Sequence, residues 1–539
     1  MRIGIDLDNT IIDYTEAFLF GARELKLIPE KWKGQKIELK SVIKSHSEGE
    51  LKWQKLQGKV YGQWIHHAKL YSGVFRFLWR CHQRGWETIV VSHKTEHGHF
   101  DSDKISLRDS ARDFLLFCQV CESDGEGLLN EIKFESTREQ KIQTIDDYQC
   151  DVFIDDLPEV LENREFPLET QRILFDPENK HKTSSLERAH SWDDVATVLL
   201  GDWSELELKN LSESCGLSAV REVKSMSGGG NSRVYKGYAE AGYEFALKIY
   251  PADSAHDRLR SEYDGMRTIH SKCTPKAPVP IGVNRGLETT VFGWVDGETI
   301  SKPAFEDIDQ AVEFLSSLYQ CRHKIEFDNF PFASAACLSG KQIEEQINSR
   351  LELLLTEQNK SLTLFLNKDF LVAFEQVLER AKAMWPNREY DMIINRDQQI
   401  LSPSDFGFHN ALRKKNGSLV FLDFEYFGWD DPVKLMCDFA FHPGMALSME
   451  MRKYWFQESL KLYGEGLIPR LNASWPLYGL CWVLILLNEF RGNIWKRRCT
   501  ADSTITHSRE DLQQLQFERA RNLLKFIDLS VKKQTFDFI

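Results

Sequence analysis

Apolar residues alternate along Arg2 to Leu7 at Ile3, Ile5 and Leu7, and the run stops in Asp6-Leu7-Asp8-Asn9-Thr10, which predicts a buried strand ending in carboxylates. Residues 14 to about 85 carry Trp, Leu and Phe at steps of three and four, as in FRFLWRCHQRGW, and read as mostly helical. A second strand, ETIVVS at 87–92, ends in Ser92, followed by His93 and Lys94. Residues 96–125 are polar in their first half and show no clear period. The helix-like TREQKIQTIDDYQC feeds a strand, DVFIDD, that stops at Asp155 and Asp156, and RILFDP and SWDDVATVLLG add a strand and a helix. This βαβ succession predicts a mainly parallel sheet.

The pattern loosens after Gly201, and a boundary is expected between about 203 and 216. A glycine-rich turn (Met226-Ser227-Gly228-Gly229-Gly230-Asn231) follows, then the strand YEFALKIY, a charged helix HDRLRSEYDGMRTIH and an apolar strand TTVFGWVDGETI at 289–300. Amphipathic helices dominate from there to about 395. A loop and β-hairpin at 401–432, LSPSDFGFHNALRKKNGSLVFLDFEYFGWDDP, interrupt them, and helical periodicity then resumes to the end.

At 539 residues the chain exceeds one ordinary core, so two or three domains are expected. With 42% hydrophobic and 28% charged residues it reads as soluble and globular. A net charge of −13 argues against a dedicated polyanion binder, so nucleic acid is not an expected partner. Lys496-Arg497-Arg498 reads as a solvated helix end. The eleven cysteines are scattered, and Cys118-x-x-Cys121 has no second half at metal-ligand spacing, which suits reduced thiols. The chain opens without a signal-peptide pattern, and the apolar run LCWVLILL at 480–487 is short enough for a buried helix. A cytoplasmic protein with no membrane partner is expected.

Asp405, Asn410 and Asp423 are spaced as phosphoryl transfer requires. Asp405 can take a proton from an attacking hydroxyl, while Asn410 and Asp423 offer hard oxygens to Mg²⁺ between nucleotide phosphates. The three glycines let backbone amides approach phosphate, which makes Ser227, Gly228, Gly229 and Gly230 candidates for phosphate binding. Lys248, in Phe245-Ala246-Leu247-Lys248, needs a carboxylate to hold its charge, and Glu262 on the next helix is the choice over Asp257 and Asp264. Backbone groups near Phe292 to Trp294 are candidates for binding adenine.

From Ser225 to about Asp438 this order resembles the aminoglycoside phosphotransferase and choline kinase family: the metal Asp is followed by Phe-Glu, and GWDDP with a later CDFA fits its pattern. The resemblance implies ATP and Mg²⁺ as cofactors and a bilobal, protein-kinase-like α+β domain at 216–539. Its N-lobe would span about 216–300, and its C-lobe about 301–539 with a helical extension. Pro403 and Ser404 stand where the family commonly carries His-Gly ahead of the Asp, a departure that touches loop geometry and leaves the base and metal ligands in place. His409 reads as a loop-packing residue, and Asp438 as structural.

Residues 1–205 resemble the haloacid dehalogenase-like (HAD) phosphohydrolases: DxDxT at Asp6 to Thr10, a motif Ser at Ser92, a motif Lys at Lys141, and an acidic motif at Asp155-Asp156. Lys94 and Lys133 are open alternatives to Lys141. The resemblance implies a Rossmann-like α/β domain with a small helical cap at about 14–85. Asp6 would be the nucleophile and Asp8 the general acid/base, Ser92 and Lys141 would bind phosphate, and Asp6, Asp8, Asp155 and Asp156 would surround Mg²⁺. Carboxylate chemistry fits these roles, since an anionic nucleophile meets a phosphate only where cations neutralise it. Glu96-His97-Gly98-His99 reads as a solvated loop. The expected whole is a bifunctional kinase and phosphatase acting on small polar metabolites, for example a sugar, amino alcohol or polyol destined for surface polysaccharide. Nucleic-acid end healing and a nucleotide-sensing pseudokinase are the alternatives.

Overall fold

A computed structural model of the chain describes all residues except 31, 33, 35, 99–103, 123–126, 227–231, 253–255, 274, 326–329, 493, 496–507 and 533–539. The chain forms two compact units, one of residues 1–211 with 251–255 and 285–288, the other of 212–250, 256–284 and 289–539.

The first unit runs β1 (Arg2–Ile5), β2 (Ile12–Asp13), α1 (Thr15–Glu24), α2 (Lys36–Lys44), α3 (Gly49–Tyr61), β3 (Lys69–Leu70), α4 (Val74–Gln83), β4 (Glu87–His93), α5 (Leu107–Phe117) and β5 (Glu131–Glu135). It continues with α6 (Arg138–Asp147), β6 (Val152–Asp155), α7 (Pro158–Leu161), β7 (Gln171–Phe175), β8 (Glu187–Ala189), α8 (Trp192–Leu199) and α9 (Glu205–Ser214), whose end passes the unit boundary. Six strands make one parallel sheet in the order β5-β4-β1-β6-β7-β8. β1 lies between β4 and β6, with Ile5 level with Val90 and Ile154, and Ile3 and Ile5 are fully buried, as a strand covered on both faces requires.

The helical region before β4 divides in two. Helices α1, α2 and α3 pack on one another beyond the β2–β3 ladder. In contrast, α4 covers the sheet against β4 and α8, with the Phe77 and Trp192 rings 5.0 Å apart. Of the stretch 14–85 expected to form a cap, α1 to α3 lie beyond the ladder, whereas α4 is a crossover helix of the sheet. Steps of three and four mark a one-sided helix in either place, so the period could not separate them. Residues 96–125, which lack a legible period, contain α5. The edge strand β5 was not foreseen, because EIKFE exposes charges as edge strands do.

The second unit begins with β9 (Val220–Ser225), β10 (Arg233–Ala239) and β11 (Glu244–Ile249), then a π-helical turn at Arg260–Asp264 leading into α10 (Gly265–Lys272), β12 (Pro280–Asn284) and β13 (Thr289–Gly293). These five strands form an antiparallel sheet, β12-β13-β11-β10-β9. The remainder is helical around small ladders: β14 (Glu298–Thr299), α11 (Phe305–Cys321), α12 (Gly340–Leu355), α13 (Lys360–Phe365), α14 (Leu371–Met384), β15 (Ile400–Ser402), β16 (Ala411–Arg413), β17 (Leu419–Phe421), β18 (Gly428–Asp430), α15 (Pro432–Phe441), α16 (Met449–Tyr463), α17 (Ile468–Leu486) and a final helix Arg509–Lys532. The ladder order is β14-β16-β17 and β15-β18. One helix among the described residues, 465–490, is long and apolar enough to cross a membrane, and 83% of its apolar window is buried inside this unit. It is apolar on all sides because helices surround it.

Candidate active sites

In the first unit the sheet brings three strand ends together. Asp6 follows β1, and its N–H donates to the Ile154 carbonyl (2.8 Å). Asp155 closes β6, and Ser92 lies buried near the end of β4. The C-terminal edge of a parallel sheet is where ligands bind in such folds. Lys141, buried on α6, bridges Asp6 Oδ1 (2.5 Å) and Asp155 Oδ2 (2.6 Å). Ligand oxygens of Asp6, Asp155 and Asp156 all lie within 4.8 Å of one another. Three acids thus face one lysine. Burial, reinforced by neighbouring carboxylates, pushes Asp6 up to about 7 and Asp156 up to about 8. Negative charge left uncompensated by Lys141, on hard oxygen donors, fits a magnesium ion at this cluster.

The other lysines separate cleanly. Lys133 is on β5 beside Glu131 (2.5 Å), away from the cluster. Lys94 is buried and grips both oxygens of Asp8 at 2.8 and 2.9 Å, while the buried Tyr14 hydroxyl donates to Asp8 Oδ1 (2.7 Å). The Asp8 carboxylate is therefore turned to Lys94 and Tyr14, while the converging acids among the described residues are Asp6, Asp155 and Asp156. Tyr61, on α3, stands edge-on to Tyr14 at 4.7 Å and lies under Lys94, so these two tyrosines line the Asp8 side of the site.

In the second unit Lys248 is on β11, opposite Val234 and Thr290. Its Nζ lies 2.7 Å from Glu262 Oε2, 2.7 Å from Asp423 Oδ1 and 3.7 Å from Glu425 Oε2. Glu262 is presented by the π-helical turn, accepts from the buried Tyr250 hydroxyl (2.6 Å), and receives the Phe424 N–H (3.3 Å). Burial lowers the Lys248 ammonium, but Asp423 and Glu262 outweigh it and raise it well above its ordinary value. Loss of hydration and the acids Glu425 and Glu262 push Asp423 up to about 7 against the pull of Lys248.

Glu425 was not singled out from the sequence as a site residue, although its place two residues after Asp423 is a signal that could have found it. It is almost fully buried, held by Arg258 Nη1 (2.8 Å) and the Ser232 hydroxyl (2.8 Å).

After β15, Asp405 precedes a 3₁₀ turn, Phe408–Asn410, that ends in Asn410. The Asn410 side-chain N–H donates to the Asp405 carbonyl (3.0 Å), which leaves its amide oxygen as a donor for a cation. The Leu422 N–H donates to the Asn410 carbonyl (2.8 Å), so Asn410 lies beside the strand that delivers Asp423. Burial raises the Asp405 carboxyl, and the hydrogen bond from His409 with the fields of His409 and His442 hold it below the usual range. Ligand oxygens of Glu262, Asp423 and Glu425 lie within 4.8 Å of one another, and this set, with more carboxylates than cations about Lys248, fits Mg²⁺.

Ser227, Gly228, Gly229 and Gly230 lie outside the described residues, as do Lys496-Arg497-Arg498 and His99. At the end of β13 the structure narrows the adenine-binding expectation. Phe292 is buried in the core, the Gly293 amide donates to Val279 (2.8 Å), and the Trp294 amide donates to Glu244 (3.3 Å). The Gly293 and Trp294 donors are thus engaged in the sheet, and Phe292 is flanked by strands on both sides. Asp438 accepts from Lys434 (2.6 Å) and from the Trp482 indole (2.8 Å), a structural role.

No curated protein sequence matches the chain. Among solved structures it is similar to spectinomycin phosphotransferase APH(9)-Ia in complex with ADP and spectinomycin, at 12% identity and a TM-score of 0.41 over 61% of this chain and 99% of that one. It is also similar to choline kinase LicA from Streptococcus pneumoniae, at 13% identity and 0.40 over 60% and 99%. A thermostable mutant of aminoglycoside phosphotransferase APH(4)-Ia gives 17% and 0.39 over 59% and 97%. Residues 222–467, which hold Lys248, Glu262, Asp405, Asn410 and Asp423, match the protein-family profile described as APH, phosphotransferase enzyme family. Residues 222–467 of the chain are thus similar to the APH phosphotransferase enzyme family.

Proposed function

We propose that the second unit transfers the γ-phosphoryl group of ATP to a hydroxyl of a small polar metabolite. The observation that carries this reading is the joining, within one phosphotransferase domain, of Lys248 paired to Glu262 and Asp423 with a separate Asp405–Asn410 turn. Asp405 takes the proton of the attacking hydroxyl, Lys248 holds nucleotide phosphate, and Glu262 keeps that lysine charged and aimed. Asn410, Asp423 and Glu425 would hold Mg²⁺, which neutralises charge on the phosphates when bound. Adenine would meet the backbone beyond Trp294.

For the first unit the acid cluster and its lysine support a phosphomonoester hydrolase that works through an aspartyl-phosphate. Asp6 Oδ attacks phosphorus as the alkoxide leaves, and Asp8 carries the proton to that alkoxide and later takes one from the water that releases phosphate. Ser92 and Lys141 bind phosphoryl oxygens, and Asp6, Asp155 and Asp156 would hold Mg²⁺. Two opposed reactions on one chain are productive if they act on different positions or different pathway steps, since action at one position would only hydrolyse ATP.

The test is full-length protein with ATP, Mg²⁺ and a library of sugars, polyols and amino alcohols. A hydroxyl compound should elicit ADP release in the wild type and not in Asp405→Asn, and Asp6→Asn cells should accumulate a phosphometabolite. Absence of ADP release across the library would sink the kinase reading.

A further inference from the structure

An aspartate serving as base must present one oxygen to the hydroxyl, yet its carboxylate turns about two bonds unless something holds it. Among the described residues no hydrogen bond runs from Pro403 or Ser404 to the Asp405 carboxylate, and the Ser404 N–H donates to Ser402. The structure finds the holder elsewhere. His409 Nε2 lies 3.1 Å from Asp405 Oδ1. The His442 ring, from the turn after α15, stacks parallel on His409 with centroids 3.7 Å apart and 12° between planes, and its Nε2 is 3.9 Å from the same oxygen.

The proton positions follow from the neighbours. The Gly444 N–H donates to His442 Nδ1 (3.1 Å), so in the neutral ring the proton is on Nε2 and faces Asp405. Burial and the neighbouring His409 push His442 down to about 4, which keeps it neutral. Behind it Trp482 stands edge-on at 4.9 Å and 86°, and donates its indole N–H to Asp438, itself held by Lys434. On the other side, Asn410 fixes the Asp405 main chain.

We propose that His409 and His442 form a two-imidazole brace that holds Asp405 through Oδ1 and leaves Oδ2 as the oxygen that receives the substrate proton. Both histidines are positioning residues. The brace extends from the Lys434–Asp438 pair through Trp482 to the base, so the turn at Pro443–Met445 takes part in organising the catalytic loop. This inference rests on the kinase reading of the site.

The experiment compares His409→Phe, His409→Gln and His442→Phe in the full-length protein. Phe keeps ring volume and loses the donor, whereas the Gln side-chain amide can still reach Oδ1. We expect His409→Phe to lower kcat by about 10–100-fold with KM for ATP within about twofold, as misplacement of a reacting group does. His409→Gln should recover much of that loss, and His442→Phe, which keeps the stack, should lose less than His409→Phe. Equal rates for His409→Phe and His409→Gln, or a His409→Phe enzyme as fast as wild type, would overturn the brace.

A readout without turnover separates the two ideas. In protein carrying ¹⁵N-labelled histidine, both rings should show Nε2–H tautomers, and Asp405→Asn should displace the His409 Nε2 signal. A signal unmoved by Asp405→Asn overturns the brace whether or not the enzyme consumes ATP, whereas an inert wild type with a moved signal counts against the kinase reading alone. Stoichiometric uptake of Zn²⁺ that His442→Phe abolishes would also overturn it, since it requires both Nε2 atoms to be bare ligands.

Discussion

Ser404 holds φ at +67°, and Asp423 holds +63°, both in the left-handed region that side chains with a Cβ rarely adopt. Each lies at or beside a residue of the phosphotransfer site, where locally strained backbone is held by its surroundings. For Ser404 the support is visible: its N–H donates to the Ser402 hydroxyl at 3.0 Å. The family this stretch resembles commonly places glycine here, so the sequence departure noted at Pro403-Ser404 is a conformational one. Ser404→Gly should raise the unfolding free energy by about 0.5–1 kcal/mol, the relief of the left-handed penalty less the greater freedom of an unfolded glycine. Ser404→Val should lower it by about 1–2 kcal/mol, as a β-branched residue fits worse there. Urea midpoints in the order Gly, Ser, Val check this. The candidate site residues were singled out from the sequence, and the structure pairs Lys248 with Glu262 and Asp423, and Asn410 with Asp405. Their holders were not, because Lys94, Arg258 and His442 reach their carboxylates through tertiary packing that leaves no local period or motif.

At the scale of elements, α4 and α9 are joined by two guanidinium forks on one carboxylate. Arg80 donates to Glu207 at 3.1 and 3.3 Å, and Arg84 does so at 3.0 and 3.1 Å, with Glu207 and Arg80 both nearly fully buried. Burial raises the Glu207 carboxyl, and the bonds from Arg84, Arg80 and the Ser204 amide more than offset that, holding it at about 2 against an ordinary 4.5. A carboxyl depressed in the folded state contributes stability that is fully present above the unfolded value and lost as pH falls through the folded one. Glu207→Ala, which leaves the buried Arg80 and the partly buried Arg84 with no carboxylate, should cost about 3–5 kcal/mol near neutral pH. The gap in denaturant midpoint between wild type and Glu207→Gln should narrow as pH falls from about 4.5 towards about 2; a gap constant across that window would refute the linkage. Strands were readable where alternation ended in charge, as at β1 and β6. The helices were readable as helices, but not by the layer they cover, since α3 beyond the β2–β3 ladder and α4 on the sheet share one periodicity. Glu207, in the polar stretch after Gly201, looked like linker because its charge is matched only in the folded unit.

For the molecule as a whole, each unit has its own carboxylate cluster with a buried lysine at its centre: Lys141 among Asp6 and Asp155, and Lys248 among Glu262, Asp423 and Glu425. The likeness is one of physics, since phosphoryl groups demand concentrated positive charge, and acids that gather cations supply it. The motifs are unlike in sequence, and no residue is shared between the clusters. The two chemistries should therefore be separable by single-atom changes. Asp6→Asn and Asp405→Asn replace one oxygen with nitrogen at nearly constant volume, so loss of function reports on chemistry rather than on packing. Asp6→Asn should abolish phosphate release from an aryl phosphate and leave ATP turnover with a hydroxyl acceptor within about twofold, because sites with no shared partners act additively. Asp405→Asn should do the converse, lowering ATP turnover by about 10²–10⁴-fold through loss of the general base. In the double variant each activity should equal that of its own single variant. A phosphatase activity that survives Asp6→Asn, or that falls with Asp405→Asn, would show that the acid cluster at the end of β1 is not where the ester is cleaved.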